Sequence, residues 1–110
     1  MQASDDFSSF EADFARLDNI TKSNFVLSAC LSLTIVARTT YLDRNSVDID
    51  KLIKINEIQH RLLSISAGLL TSAGDLSRRN IVEYMRAGFD DISALPVLLS
   101  VISKFRNRSI

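Results

Sequence analysis

Turn-forming residues are scarce in this chain of 110 residues, which has a single proline and only three glycines. Strands joined by tight turns depend on these residues, so their scarcity argues against a β-sheet protein. The glycines lie apart, at positions 68, 74 and 88, which excludes a glycine-rich phosphate-binding loop. At this length the chain is expected to form one domain, residues 1–110.

Cysteine and histidine each occur once, as Cys30 and His60. A structural zinc site needs a larger set of thiol and imidazole ligands, so no metal site is expected. The chain also lacks a nucleophile elbow and a second histidine that could act as a base. We therefore expect a non-catalytic protein without a cofactor or a small-molecule ligand. Cys30 lies in an apolar stretch without a disulfide partner, which indicates a buried thiol in a reducing compartment.

An excess of charge of one sign is also lacking, since thirteen basic and thirteen acidic side chains cancel. A neutral chain argues against a nucleic-acid-binding protein. The charges are nevertheless unevenly distributed. Most charged residues within residues 1–19 are acidic, whereas the end of the sequence carries the basic residues Lys104, Arg106 and Arg108. This asymmetry could attach one end of the chain to the other or to another copy. Solvated termini are the simplest interpretation.

The longest uncharged stretch, residues 23–37, is mostly apolar. Its fifteen residues fall short of the about twenty that a membrane-spanning helix needs. The acidic N-terminus also lacks the basic start of a signal peptide. We expect a cytoplasmic protein with no membrane partner.

Apolar residues recur at spacings of three and four along most of the chain, which is the pattern of amphipathic helices. The sequence therefore predicts an all-α protein, a small up-and-down bundle of four to five helices. The first helix, within residues 1–19, carries a phenylalanine stripe and is expected to pack on the bundle. Ser23 is the predicted cap of a second helix that ends near Leu42, and Asp43–Ser46 forms a connection.

A third helix is predicted over residues 48–71, with Ser46 or Asp48 to start it and Gly74 placed to end it. Its apolar seam comprises Ile55, Ile58, Leu62, Ile65 and Leu69. His60 projects roughly 160–170° away from this seam and is expected to be exposed.

Two further helices complete the predicted bundle. The fourth is capped by Asp75 or Ser77, and the fifth is capped by Ser93 with Pro96 in its first turn. The apolar spacing also permits a single kinked helix over residues 76–105. We favour two helices, because glycine and acidic residues mark a break between them.

The second helix is apolar on two sides, so it is expected to be covered on two sides. The cover comes either from the first helix of this chain or from another subunit. We therefore expect a function in protein–protein interaction, with self-association as a homodimer. The candidate interface residues are Phe7, Phe10, Phe14, Leu27, Leu31 and Ile35. In the alternative interpretation, both apolar surfaces close the core of the chain itself.

A second hypothesis concerns residues 57–61, which read Glu-Ile-Gln-His-Arg. This pentapeptide resembles the start of the histidine box in the dimerisation helices of HWE and related histidine kinases, where an exposed histidine accepts phosphate. The resemblance implies a phosphoacceptor role for His60, with Glu57 to orient or deprotonate it and Arg61 to meet the phosphoryl charge. It covers five residues, and Ser64 stands where those kinases carry asparagine.

A third hypothesis concerns residues 73–81, which resemble the turn and recognition helix of helix-turn-helix proteins. Gly74 takes the place of the turn glycine, and Arg78 and Arg79 lie in the first helical turn. The resemblance implies DNA binding through these two arginines. Solvation of both side chains on an ordinary helix surface is the simpler interpretation.

Overall fold

The computed structural model describes the backbone of residues 3–42, 48–71 and 75–109, with most of their side chains. These ranges contain no strand and five helices, namely α1 (Ala3–Ala15), α2 (Asn19–Leu42), α3 (Ile49–Thr71), α4 (Asp75–Asp91) and α5 (Leu95–Ser109). The prediction of an all-α protein is confirmed. The predicted connection Asp43–Ser46 and the predicted stop at Gly74 lie outside the described residues.

Helix α2 begins at Asn19, four residues before the predicted cap Ser23. Asp18 caps this helix, since its Oδ1 accepts a hydrogen bond of 2.7 Å from the backbone N–H of Thr21. Ser23 lies buried within the helix, where its hydroxyl is 2.5 Å from the hydroxyl of Ser66 on α3. The predicted cap was wrong because Asp18 and Ser23 both have capping chemistry. The buried partner that distinguishes Ser23 lies 43 residues away in the chain, where local sequence cannot reveal it.

Helix α3 follows the prediction closely. Asp48 caps it, since its Oδ1 accepts a hydrogen bond of 3.0 Å from the backbone N–H of Lys51. The predicted seam faces the core, with Ile55, Ile58, Leu62 and Leu69 buried and Ile65 partly buried.

Helices α4 and α5 are separate, so the single kinked helix is wrong. Ser93 ends α4 in the left-handed conformation, with φ of 56°. Its N–H donates to the Asp90 carbonyl at 3.0 Å and that of Ala94 donates to the Phe89 carbonyl at 2.7 Å, the two bonds of a Schellman motif. Ser93 therefore does not cap α5 as predicted. Ala94 occupies that position, and its carbonyl accepts a hydrogen bond of 3.0 Å from the N–H of Val97.

The phenylalanines of α1 belong to the core of this chain. Phe7, Phe10 and Phe14 are 5%, 1% and 3% exposed. The ring centroid of Phe10 lies 4.7 Å from that of Phe25 on α2 and 6.3 Å from that of Phe105 on α5. Helix α1 packs on α2 and α5 through these rings. The assignment of its three phenylalanines to an interface is wrong, because rings buried this deeply are not available to a partner.

Candidate interaction surface

The strongly exposed large apolar side chains of the described residues all lie on two neighbouring helices. They are Ile20, Leu31, Ile35 and Tyr41 on α2 and Ile49, Ile53, Leu63 and Leu70 on α3. Single exposed apolar side chains scattered over a surface are ordinary, whereas a set confined to two packed helices forms a patch.

The outer side of α2 is the second apolar side that the sequence predicted for this helix. Leu31 and Ile35 are 69% and 67% exposed, and Leu27, one turn earlier, is half-buried. The opposite apolar side of α2, which includes Phe25 and Leu33, is fully buried in the core. This chain therefore covers one apolar side of α2 and leaves the other largely open.

Helix α3 carries a second apolar stripe that the sequence prediction missed. Its members follow one another at alternating spacings of four and three residues, as Ile49, Ile53, Asn56, His60, Leu63, Ala67 and Leu70. All seven are exposed, because the stripe lies on the side opposite the buried seam. Such alternation is typical of a helix that packs lengthwise against another helix. The spacing was a usable signal, but the asparagine, the histidine and the alanine within the stripe concealed it.

Side-chain hydrogen bonds join α2 and α3 as antiparallel neighbours. Near one end of this hairpin, the hydroxyl of Ser23 also donates to the backbone carbonyl of Ser66 at 3.3 Å. Farther along, Nε2 of Gln59 donates to the Cys30 carbonyl at 3.0 Å and to the Thr34 hydroxyl at 3.2 Å. These contacts fix which residues of the two helices lie side by side.

The register of these bonds aligns the two outer stripes. Ile20 lies level with Leu70, and Leu27 lies level with Leu63. On both helices, the stripe and the core residues flank the line of contact on opposite sides. The stripes therefore form one largely apolar surface, the hairpin face, which also includes Asn56, His60 and Ala67 of the α3 stripe. Its large apolar members are Ile20, Leu27, Leu31, Ile35, Tyr41, Ile49, Ile53, Leu63 and Leu70.

His60 lies on the hairpin face and is exposed, as its position in the helix predicted. Glu57, one turn earlier, and Arg61 are exposed too. The guanidinium of Arg61 lies 5.9 Å from the ring centroid of Tyr84 on α4, so this side chain is directed away from the hairpin face. Glu57 also faces α4, since it lines a cavity with Tyr84 and its charge acts on that tyrosine. Of the proposed phosphoacceptor group, the structure therefore leaves only His60 on the hairpin face.

Two side chains with raised pKa values lie near the hairpin. Burial raises the pKa of the Cys30 thiol, whose Sγ donates to the Gln59 carbonyl at 3.7 Å. Burial raises the pKa of Tyr84 more than the neighbouring Arg61 lowers it. Both groups therefore keep their protons at neutral pH. The prediction of a buried thiol at position 30 is confirmed, and a protonated buried thiol is a poor nucleophile.

The remaining candidate sites find little support in the described residues. Within them, no group of three or more His, Cys, Asp or Glu side chains is arranged to hold a metal ion. The side chains of Arg78 and Arg79 lie outside the described residues, so DNA binding through them stays a prediction.

Helix α2 is longer than the uncharged stretch of residues 23–37 that it contains. Residues Asn19–Tyr41 are long and apolar enough to cross a membrane, and 44% of their most apolar window is buried within this chain. The expectation that this stretch is too short to span a membrane is corrected, because the helix that contains it reaches a spanning length. Length and composition are compatible with either a membrane or a soluble setting.

Comparison of the chain with protein-family models, with curated proteins and with solved structures finds no match. The function is therefore argued from the hairpin face.

Proposed function

We propose that this chain is a non-catalytic interaction module that forms a homodimer through the hairpin face. The observation that carries this proposal is the confinement of the strongly exposed large apolar side chains to one side of one hairpin, among the described residues. On soluble proteins, large contiguous apolar patches mark sites of interaction with other molecules. The proposed location is the cytoplasm.

The hairpin face has the size that a dimer needs. Its eight strongly exposed side chains, each half to two-thirds exposed, present on the order of 800 Å², the area that each partner contributes to a standard interface. Removing this apolar surface from water is favourable by roughly 25 cal/mol per Å² before the costs of association are subtracted.

A second copy of the chain suits this face. The alternation of four and three residues on α3 is the repeat by which helices pack lengthwise, so two hairpins placed face to face form a four-helix arrangement. Arg38 is the only charged residue of α2 between residues 23 and 42. Two copies related by a twofold axis therefore bring together no row of like charges.

A protein partner also accounts for the composition of this face better than a lipid bilayer does. Helices that lie on membranes typically carry lysine and arginine along the polar side, whereas residues 23–37 of α2 are uncharged. The stripe on α3 also contains two polar residues, Asn56 and His60, between its apolar residues. Isolated polar residues in an apolar helix seam are a known means of setting register between paired helices.

Phosphotransfer through His60 is the second candidate function, and the exposure of the imidazole favours it. It ranks below self-association because the contact of Arg61 with Tyr84 takes the guanidinium away from the imidazole. A phosphoryl group on His60 would then lack the cation that the pentapeptide resemblance implies.

Light scattering coupled to size exclusion tests the proposal. We expect the wild-type chain to run as a dimer at tens of micromolar, where a typical specific interface is occupied. Leu31→Glu is expected to give a folded monomer, because it places a charge in the centre of the hairpin face. Ser100→Glu, which changes an exposed position of α5, is the matched control and should leave the dimer intact.

Three results would overturn the proposal: a wild-type monomer at these concentrations, a Leu31→Glu dimer, or sedimentation of the wild-type monomer with phospholipid vesicles. The last would assign the hairpin face to a membrane. Circular dichroism of each variant separates loss of association from loss of the helical fold.

A further inference from the structure

His60 occupies a central position in the hairpin face. It lies seven residues after Ile53 and three residues before Leu63, within the exposed stripe of α3. It is the only histidine of the chain. An imidazole is the side chain whose charge ordinarily changes between pH 5 and pH 8, so His60 is the member of this face that can gain a charge in that range.

The surroundings of His60 on α2 contain no charge that could compensate a proton. The register of the hairpin places it level with Ala29 and Cys30, which are buried and uncharged. The charged residues of α2 nearest to that level are Lys22 and Arg38, each about 10 Å or more away along the helix axis. Both are cations, so neither would stabilise an imidazolium.

On α3 itself, Glu57 and Arg61 flank His60, and Arg61 is directed to Tyr84. Lys54, two turns earlier, pairs with Asp91 of α4 at 3.4 Å.

The charged side chains that α4 presents in its described part are on the other side of α3. The guanidinium of Arg86 donates a hydrogen bond of 2.7 Å to the carboxylate of Glu83, and Asp90 and Asp91 are exposed. Glu57, one turn before His60, is the nearest described anion on α3, and it faces α4, where it lines a cavity with Tyr84 and Asp91.

We propose that protonation of His60 dissociates the dimer, so that the hairpin face associates near neutral pH and separates in mild acid. This inference rests on the proposed function. In the dimer the neutral imidazole is buried among apolar side chains of the partner. Burying an imidazolium there without full compensation costs free energy, whereas the monomer leaves it in water at no such cost. Protons therefore bind the monomer preferentially, and association weakens as the pH falls.

The size of the effect follows from linkage. Each copy that takes up a proton as a monomer and excludes it as a dimer weakens association about tenfold for each pH unit on the acid side of the transition. Two copies give a rise in Kd of about 100-fold between pH 7.5 and pH 5.5.

The experiment measures the Kd of the full chain by sedimentation equilibrium at pH 7.5 and pH 5.5, with circular dichroism at both. The wild type is expected to weaken about 100-fold while keeping its helical signal. His60→Gln and His60→Leu, which cannot take up a proton, are expected to change by less than about threefold. The leucine variant keeps the face apolar if glutamine disturbs packing.

The outcomes separate the two proposals. A wild-type monomer at pH 7.5 overturns the homodimer and this inference with it. A wild-type dimer whose Kd is the same at both pH values overturns only the switch, and so does an equal loss of association in wild type and both variants at pH 5.5. Failure of both variants to associate at pH 7.5 makes the imidazole an indispensable contact, which also overturns a role as a switch.

Discussion

The guanidinium of Arg106 on α5 hydrogen-bonds the carboxylate of Asp13 on α1, 93 residues earlier in the chain. The same guanidinium donates to the Ser9 hydroxyl at 2.9 Å and lies 5.8 Å from the ring centroid of Phe10. The acidic start and the basic end of the sequence are thus joined within one copy at this point. This is the first of the three interpretations that the charge asymmetry allowed, whereas solvated termini had been the simplest.

The Arg106–Asp13 pair is expected to contribute modestly to stability. Asp13 is more than half exposed and Arg106 is partly exposed, so Asp13→Asn should lower the free energy of unfolding by about 0.2–1 kcal/mol. Arg106→Ala should cost more, because it also removes the contact of the guanidinium with the Phe10 ring. Urea unfolding at low salt and at 1 M NaCl measures both. An effect of Asp13→Asn that does not shrink in high salt would contradict an ionic origin.

The docking of α1 is expected to depend on Phe10, which is 1% exposed. Phe10→Ala should destabilise the fold by about 3–5 kcal/mol, since it removes a ring from a packed aromatic cluster. Phe105→Ala, at a partly buried position of the same cluster, should cost less. Denaturant unfolding monitored by circular dichroism provides both values. If the two substitutions cost the same, the cluster does not hold α1 in the way described.

Asp18 is expected to make stability pH-dependent. The backbone N–H of Thr21 donates to its carboxylate and lowers the pKa of Asp18. Because the folded-state pKa lies below the unfolded-state value of about 4, the stabilisation is present above that pH and is lost as the pH falls through the folded-state pKa. Asp18→Asn should therefore melt below the wild type at pH 7, and the difference should vanish in strong acid. Glu11→Gln, an exposed residue of α1, is the control, and an unchanged difference at the lowest pH would refute the mechanism.

Ser93 is a site at which glycine should stabilise the protein. Its φ of 56° is a conformation that costs a residue with a side chain about 1–2 kcal/mol. Glycine removes this strain but gains entropy in the unfolded chain, so Ser93→Gly should stabilise by about 0.5–1 kcal/mol. Ser93→Val should destabilise, because β-branched residues are poorly accommodated there. The shift of the urea midpoint is the measurement, and stabilisation by valine would be incompatible with the left-handed helix end.

The phosphoacceptor hypothesis yields a negative expectation. Incubation of the wild-type chain with acetyl phosphate should leave no acid-labile phosphate, since Arg61 is engaged with Tyr84. His60→Ala should change the free energy of unfolding of the monomer by less than about 0.5 kcal/mol, as is usual at exposed positions. A label that the wild type carries and His60→Ala lacks would instead place phosphotransfer ahead of self-association.

Sequence pattern predicted the features that depend on neighbouring residues. Helical spacing and capping chemistry alone predict the seam of α3, the exposure of His60 and a start of α3 at Ser46 or Asp48, of which the structure uses Asp48. Features that depend on distant residues escaped. Spacing cannot tell whether a phenylalanine stripe packs against Phe25 and Phe105 or against another molecule. It also cannot show that the hydroxyl of Ser23 hydrogen-bonds that of Ser66.

Two other features escaped for local reasons. Glycine is the usual residue at a left-handed helix end, so Ser93 carried no such signal and its capping chemistry pointed to α5 instead. The outer stripe of α3 was concealed because two polar residues, Asn56 and His60, and the small Ala67 interrupt its large apolar residues. The exposure of this stripe follows from the packing of the inner seam against the core, which spacing alone does not specify.

The open hairpin face ties the thermal stability of this protein to its concentration. If a second copy covers the face, folding and association are linked by mass action, and dilution removes the support that the partner provides. The melting temperature should then rise with protein concentration, and Leu31→Glu should abolish this dependence. The chain would be most vulnerable to proteolysis and to aggregation where it is scarce or newly made, before a partner is found.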